Sequence, residues 1–275
     1  MDKNKIILME LWDKVAVNFG ELGPDYWKRF GKKLVELSNV DNGDYILDIG
    51  TGRGSSLFPS AYLVGKDGRV IGTDISKSMV SATNDEIAKR NIKNAEVIHV
   101  DIEALNFDDE YFDKIIAGFS LGGILMNEEY LQNLTRILKN HGQLSFSMWG
   151  VQNDQQWLTD IVNDYIKPAQ ENKSENIPSI RLDCAEGIKA VLKNADLKDI
   201  ETYETVNEVI YIDETQWWTE MWNNALRNIF ETIEKMGQDI FDEFKNKVNI
   251  ALQNFKSEKG ITFKMNVIYA VCKKY

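Results

Sequence analysis

The segment Tyr45–Ser55, YILDIGTGRGS, places Asp48 at the end of an apolar run and follows it with Gly50, Thr51, Gly52 and Gly54. A strand, this loop and a helix make a nucleotide-type turn. Glycine is needed in such a turn because it adopts positive φ and lets a ligand approach the backbone with no Cβ in the way. The GxG pair alone is not specific, but its spacing and two later acids narrow the chemistry. The spacing is GxGxG, whereas dinucleotide sites use GxGxxG and set a pyrophosphate over the helix N-terminus. The shorter form favours a nucleoside ligand without phosphate over NAD. Asp74 ends the next run, GRVIGTDI. A carboxylate there can accept both hydrogen bonds of a ribose diol, or it is simply the acid that precedes the helix cap Ser76. Asp101 ends a third run, VIHVDI. It can accept from an adenine amino group while Ile75 and Ile102 contact the ring faces, or it is an exposed loop acid. Met79 lines the same pocket or belongs to the core.

These residues need a scaffold that brings the ends of successive strands together. Short apolar runs alternate with helical stretches from Tyr45 onward: YILDI, then SSLFPSAYLV, GRVIGTDI, a helix over Lys77–Arg90 capped by Ser76, AEVIHVDI, FDKIIAGFS, a helix capped by Asn127, and QLSFSMW. Pro59 limits how early its helix begins. Asn140-His141-Gly142 reads as the turn into the fifth strand. This rhythm predicts an α/β chain, a Rossmann-like and mostly parallel sheet with helices on both faces. Such sheets bind ligands beyond the carboxyl ends of their strands. Before the sheet come two helices, from about Ile6 to Phe19 and after Gly23-Pro24, the second with Trp27, Phe30, Leu34 and Leu37 on one face. After it come a helix over Asp154–Tyr165, a loop over Pro168–Pro178, the helix CAEGIKAVLKNAD, a strand over Leu197–Ile212, helix over Glu214–Ser257, and a final strand, ITFKMNVIYAVCKK.

With these pieces in hand, the sequence resembles the class I S-adenosylmethionine-dependent methyltransferases, in particular the small-molecule branch that includes the ubiquinone/menaquinone methyltransferases. The resemblance runs from Trp12 to about Trp149 and returns faintly at Cys184–Leu197 and in the last strand. It rests on YILDIGTGRGS, VIGTDISKSMV, VDIEAL, FDKIIAGFSL and LTRILKNHGQLSFSMW. It implies a seven-stranded sheet with the last strand inserted antiparallel. It also implies that Asp48 and the Gly50–Gly54 loop hold the methionine portion of S-adenosylmethionine, that Asp74 holds the ribose, and that Asp101 with Ile102 holds the adenine. Gly118, Phe119 and Ser120 would line the site near the methyl group, and Phe19 stands where an aromatic often lies near the cofactor. The chain departs from the family's usual Pro-Gly-Gly at Asn140-His141-Gly142, a turn that carries no function. The implied layout is one domain over 1–275, with a helical lid over 1–40, a cofactor core over 41–150, and a helical cap from 151–183 and 213–257.

A methyl donor of this kind reacts with an O, N, C or S nucleophile by in-line displacement, and positioning alone is worth roughly 7–11 kcal/mol. A general base is needed only where the nucleophile must lose a proton. The sequence does not single one out: His99 shares a strand face with Asp101, His141 sits in a turn, and Tyr26, Tyr211 and Glu214 are not distinguishable. Trp149, Trp217, Trp218 and Trp222 cluster near strand ends and either enclose a partly apolar acceptor or form the core of the cap. The net charge of −11 disfavours sequence-independent nucleic-acid binding, which relies on Lys and Arg; it either suits a neutral or cationic small molecule or only keeps the protein soluble. No apolar run reaches the ~18–20 residues of a membrane span, and the N-terminal segment reads as an amphipathic helix, so the expected location is the cytoplasm. Cys184 and Cys272 are isolated, as are both histidines, so no metal site is expected. Two rival readings remain open: a methyltransferase-fold protein that binds the cofactor without methylating, as a regulatory subunit or cyclase would, and an NAD-dependent oxidoreductase.

Overall fold

The computed structural model describes residues 3–167 and 180–275. The chain opens with α1 (Lys3–Val15) and α2 (Tyr26–Leu37). In α2 the residues Tyr26, Phe30, Leu34 and Val35 are buried, one step round the helix from the expected stripe. Gly31 lets α2 lie against the glycine loop, since a Cβ there would fall 2.4 Å from the Ser55 carbonyl oxygen.

The sheet domain follows as β1 (Tyr45–Ile49), α3 (Leu57–Val64), β2 (Arg69–Asp74), α4 (Lys77–Lys89), β3 (Ala95–His99), β4 (Phe112–Gly118), α5 (Glu128–Ile137) and β5 (Leu138–Trp149). Pro59 sits in the first turn of α3, where its missing N–H has no helical partner to lose. Ser76 and Asn127 cap α4 and α5 by accepting from the amides of Met79 and Tyr130. The second half supplies α6 (Gln156–Asn163), α7 (Ala185–Asn194), β6 (Lys198–Tyr211), α8 (Glu214–Met221), α9 (Arg227–Glu234), α10 (Gln238–Leu252), β7 (Lys256–Ser257) and β8 (Gly260–Lys273).

The strand order is β3-β2-β1-β4-β5-β8-β6, with the short β7 paired to β8. The pairs β1–β2, β1–β4, β2–β3 and β4–β5 are parallel. β8 enters antiparallel between β5 and β6, as the resemblance implies, and β7 adds a two-residue strand to the expected seven. Neighbouring residues of a strand face opposite sides. Ile46 therefore joins one apolar cluster and Leu47 another, so both faces of the sheet are covered. The order reverses at the β1–β4 junction, the switch point where such sheets bind ligands.

Three expectations change. The third strand stops at His99, two residues before Asp101, which instead caps a short helical turn over Ile102–Ala104. The region 214–257 is broken into α8, α9 and α10, with Gly237 at φ 137° before the last. Asn140-His141-Gly142 is not a turn ahead of the strand but lies within β5. His141 there adopts φ 63° and donates its amide to the Lys274 carbonyl at 2.8 Å. Lys274, just past β8, supplies the backbone partner at this point, and three extra residues of β5 are taken up between the pairs Phe112–Leu138 and Lys114–Gln143. The expected loop over Pro168–Pro178 lies outside the described residues. Among the described residues no helix is long and apolar enough to cross a membrane, and no cluster of three His, Cys, Asp or Glu could hold a metal ion.

Candidate functional site

A cavity of about 1340 Å³ opens over the carboxyl ends of β1, β2 and β4. Its floor is the glycine loop. The Thr51 amide donates to the Thr73 carbonyl at 2.9 Å, so the loop is tied to the neighbouring strand. Gly52 has φ 50°, and the only atom within reach of a Cβ there is Cε1 of Phe19, 3.9 Å away. This position faces open space. Gly54 is turned away from the cavity: a Cβ there would fall 2.6 Å from the Phe58 ring. The third glycine therefore serves packing.

The acids divide by surroundings. Asp74 lines the cavity, and its carboxylate accepts from the amides of Gly52 and Ser76, both at 2.9 Å. Burial pushes its carboxyl up, and the amides of Ser76, Gly52 and Ile75 hold it back. Asp48 is fully buried and is not on the cavity wall. It accepts from the hydroxyls of Thr51 at 2.5 Å and Ser56 at 2.8 Å, and burial pushes its carboxyl up to about 6. The structure thus gives Asp48 no direct line to a ligand; it braces the loop from below. Asp101 lines the cavity and pairs with the Lys5 ammonium at 2.6 Å. Lys5 also contacts Glu103.

The α1 segment lies across this floor through polar ties. Asp13 accepts from the Ser76 hydroxyl at 2.6 Å and the Ser78 amide at 2.9 Å. Arg53, inside the glycine loop, donates to the carbonyls of Ala16 and Val17 at 2.8 and 2.6 Å. Lys14 reaches Glu231 on α9 at 2.7 Å. Leu11, Val15 and Ala16 pack on Met79, so Met79 is both core and cavity wall.

Of the other expected residues, Phe19, Gly50, Thr51, Ile75, Ile102, Gly118, Phe119 and Ser120 line the cavity. Phe119 holds φ 58°, a strained conformation for a bulky side chain, and its ring lies 4.3 Å from that of Trp149. Trp149 is on the wall; Trp218 and Trp222 are not. The Trp218 indole donates to Asn249 at 2.7 Å, and the rings of Trp218 and Trp222 pack on Phe230. Burying those faces inside the helical layer removes them from the acceptor side, and Trp217 is buried there too. His99 contacts the Ile75 carbonyl at its exposed edge and His141 packs on Tyr275; neither reaches the cavity. Glu214 is held by Lys256 and Gln253, far from a proton-transfer role. Cys184 is half-buried, and burial pushes the Cys272 thiol up to about 12.

Sequence reasoning did not find Trp12, Trp27, Lys5, Arg53 and Asn224 as cavity residues. Arg53 stood inside the loop and was the one with a local signal. The rest come from distant segments.

The chain matches a family model described as a methyltransferase domain over residues 40–232. It is 30% identical over 138 residues to the aklanonic acid methyltransferase DauC of Streptomyces sp. (strain C5), a match covering 50% of this chain and 63% of that protein. It is 36% identical over 119 residues to the ubiquinone/menaquinone biosynthesis C-methyltransferase UbiE of Azotobacter vinelandii, covering 43% and 46%. The match thus spans less than two thirds of either relative. Among solved structures, the YcgJ protein of Bacillus subtilis superposes with a TM-score of 0.60 at 15% identity, covering 90% of this chain and 99% of that one; at that identity the likeness is one of fold. The family model takes in well over half of the 275 residues, including the glycine loop and both cavity acids, and the chain belongs to the class I S-adenosylmethionine-dependent methyltransferases.

Proposed function

We propose that this protein transfers the methyl group of S-adenosylmethionine to a small, neutral or cationic, partly apolar acceptor. The observation that carries this reading is the cavity itself, about 1340 Å³, larger than the ~300–1,000 Å³ that usually houses one ligand. Two ligands fit side by side, the cofactor over the glycine loop and the acceptor beyond it. The loop suits a nucleoside–amino-acid ligand, because Gly52 leaves the space above it open and Asp74 presents a carboxylate already oriented by two amides. Asp74 would take the ribose hydroxyls. Asp101 and Ile102 would meet the adenine, with Lys5 sharing the carboxylate. Phe19, Phe119 and Ser120 would close around the methyl end. When bound, the sulfonium supplies an electrophilic methyl group.

The acceptor side is walled by Trp27, Trp149, Leu158, Met221 and Ile229, with neutral amides from Gln152 and Asn224. The basic side chains on the described wall are Lys5 and Arg53, and both are already engaged. An anionic acceptor would therefore meet no free cation, whereas a neutral or cationic one is matched by the aromatic faces. The helices α1, α2, α6 and α8 to α10 would act as lid and cap and exclude water from the reaction.

Native mass spectrometry of the purified protein tests the cofactor. One equivalent of S-adenosylmethionine or S-adenosylhomocysteine is expected; bound NAD would overturn the reading. Radiolabelled methyl transfer to a panel of neutral, cationic and anionic aromatic acceptors tests the acceptor class, and a preference for anions would refute it.

A further inference from the structure

Glu220 on α8 is a carboxylate with 3% of its surface exposed. It lies next to Met221, which is on the acceptor-side wall. Among the described residues no basic side chain offsets its charge: the titratable groups acting on it are Tyr26 of α2 and Tyr211 of β6. Tyr26 donates its hydroxyl to Oε1. The Trp27 N–H and the Tyr211 hydroxyl are also directed at the carboxylate and hold its proton affinity down. Both, and Glu220 Oε2, are buried and fall short of full hydrogen-bond geometry. A polar tie that served only to join α2 to α8 would use these groups, since each buried and unpaired one costs roughly 1–3 kcal/mol. Here one bond is made and the others are held back beside a cavity whose wall includes Tyr26 and Trp27.

We propose that Tyr26 and Glu220 are the polar end of the acceptor site, and that they select an acceptor whose nucleophilic atom carries a proton, a hydroxyl or neutral N–H. This rests on the methyltransferase reading above. The acceptor's O–H or N–H donates a hydrogen bond to Tyr26 Oη, whose own hydrogen is given to Glu220. Tyr26 is the group on the cavity wall that touches the acceptor; Glu220 acts through it and is a positioning residue. Burial pushes both hydroxyls, Tyr26 and Tyr211, well up, so they remain donors across the working range. Burial also pushes the Glu220 carboxyl up, against the tyrosine hydroxyls that lower it. A perturbed acid at the edge of a cleft is the kind of group that functional sites collect.

Calorimetry with saturating S-adenosylhomocysteine tests this with two probes, 2-naphthol and 2-methoxynaphthalene, which differ in the proton. The unaltered protein is expected to bind 2-naphthol at least about tenfold more tightly, the scale on which a site built for a hydroxyl rejects its absence. Tyr26→Phe and Glu220→Gln are expected to reduce that preference to below about threefold while leaving S-adenosylhomocysteine affinity unchanged. In the unaltered protein the preference should fall on acidification as Glu220 gains a proton, and Glu220→Gln should be flat with pH; a purely structural tie would not move in this way. The pH dependence in the unaltered protein serves as the test if a variant melts early. Absence of preference, binding of neither probe, or preference kept in both variants would overturn the proposal alone. Failure of the unaltered protein to bind S-adenosylhomocysteine would overturn the methyltransferase reading and this proposal with it.

Discussion

Asp48 lies opposite Gly72, two residues short of Asp74 on the neighbouring strand, and it is sealed while Asp74 faces the cavity. Burial pushes the Asp48 carboxyl from 3.8 to about 6, with the Thr51 and Ser56 hydroxyls opposing and Asp74 adding to the rise. The folded protein therefore keeps this proton to higher pH than the unfolded chain does. The resulting stability is present in full below the unfolded value and is lost as pH rises through about 6. Asp48→Asn cannot ionise. Relative to the variant, the unaltered protein should lose about 2 kcal/mol between pH 4 and pH 7, read by urea unfolding at stepped pH. A difference that stays constant with pH would show that Asp48 is not the titrating group. Asp74 is the residue whose loss should act on the ligand. Asp74→Ala is expected to weaken S-adenosylmethionine at least about tenfold in calorimetry, because charge-assisted bonds to a diol are among the stronger ones. Gly52→Ala places a methyl group in the space facing Phe19 at φ 50°. It should cost about 1–2 kcal/mol of stability from the left-handed backbone, and more than that in cofactor affinity. Equal losses in the two measurements would mean the position is conformational only.

At the scale of elements, α1 is held to the sheet domain by Asp13 on the N-terminus of α4 and by Arg53 on its own last carbonyls. Asp13 acts much as a helix cap does, satisfying an amide that α4 cannot. Asp13→Ala should therefore cost about 1 kcal/mol and raise hydrogen exchange across residues 3–19 without raising it in β1 or β2. If S-adenosylhomocysteine is held beneath this element, its addition should slow exchange over the same residues. An unchanged exchange pattern would remove α1 from the lid. The Lys5–Asp101 pair is partly exposed and is expected to matter less at high salt.

For the molecule as a whole, the aromatic residues separate into two populations. Trp12, Phe19, Trp27, Phe119 and Trp149 form a connected wall at the cavity. Trp217, Trp218, Trp222, Phe230, Phe241 and Phe244 form the interior of the helical layer over 214–252. Trp218→Phe should lower the unfolding midpoint by losing the bond to Asn249, about 1 kcal/mol, and leave cofactor binding intact. Trp149→Ala should instead cut turnover with an aromatic acceptor while cofactor binding persists. A reversal of these two outcomes would return Trp218 to the acceptor site.

Local pattern was enough for the parts of the site that lie within one strand–loop–helix unit. A strand end, a glycine spacing and an acid occur within a few residues, so YILDIGTGRGS and Asp74 announced both the α/β class and the floor of the cavity. Relations across the chain were a different matter. Nothing local tells which way an indole turns, and Trp149 and Trp218 separated only when β5 and α10 were packed. His141 is held in the strand by Lys274, more than a hundred residues later and just past β8, whose carbonyl accepts its amide. Tyr26 and Glu220 stand 194 residues apart. Each is unremarkable in its own helix, and their meeting depends on how α2 and α8 converge over the sheet. The glycine-loop floor of the cavity was thus written in the sequence, because short-range geometry builds it. The wall proposed for the acceptor was decided by tertiary structure, because its residues are joined only by packing.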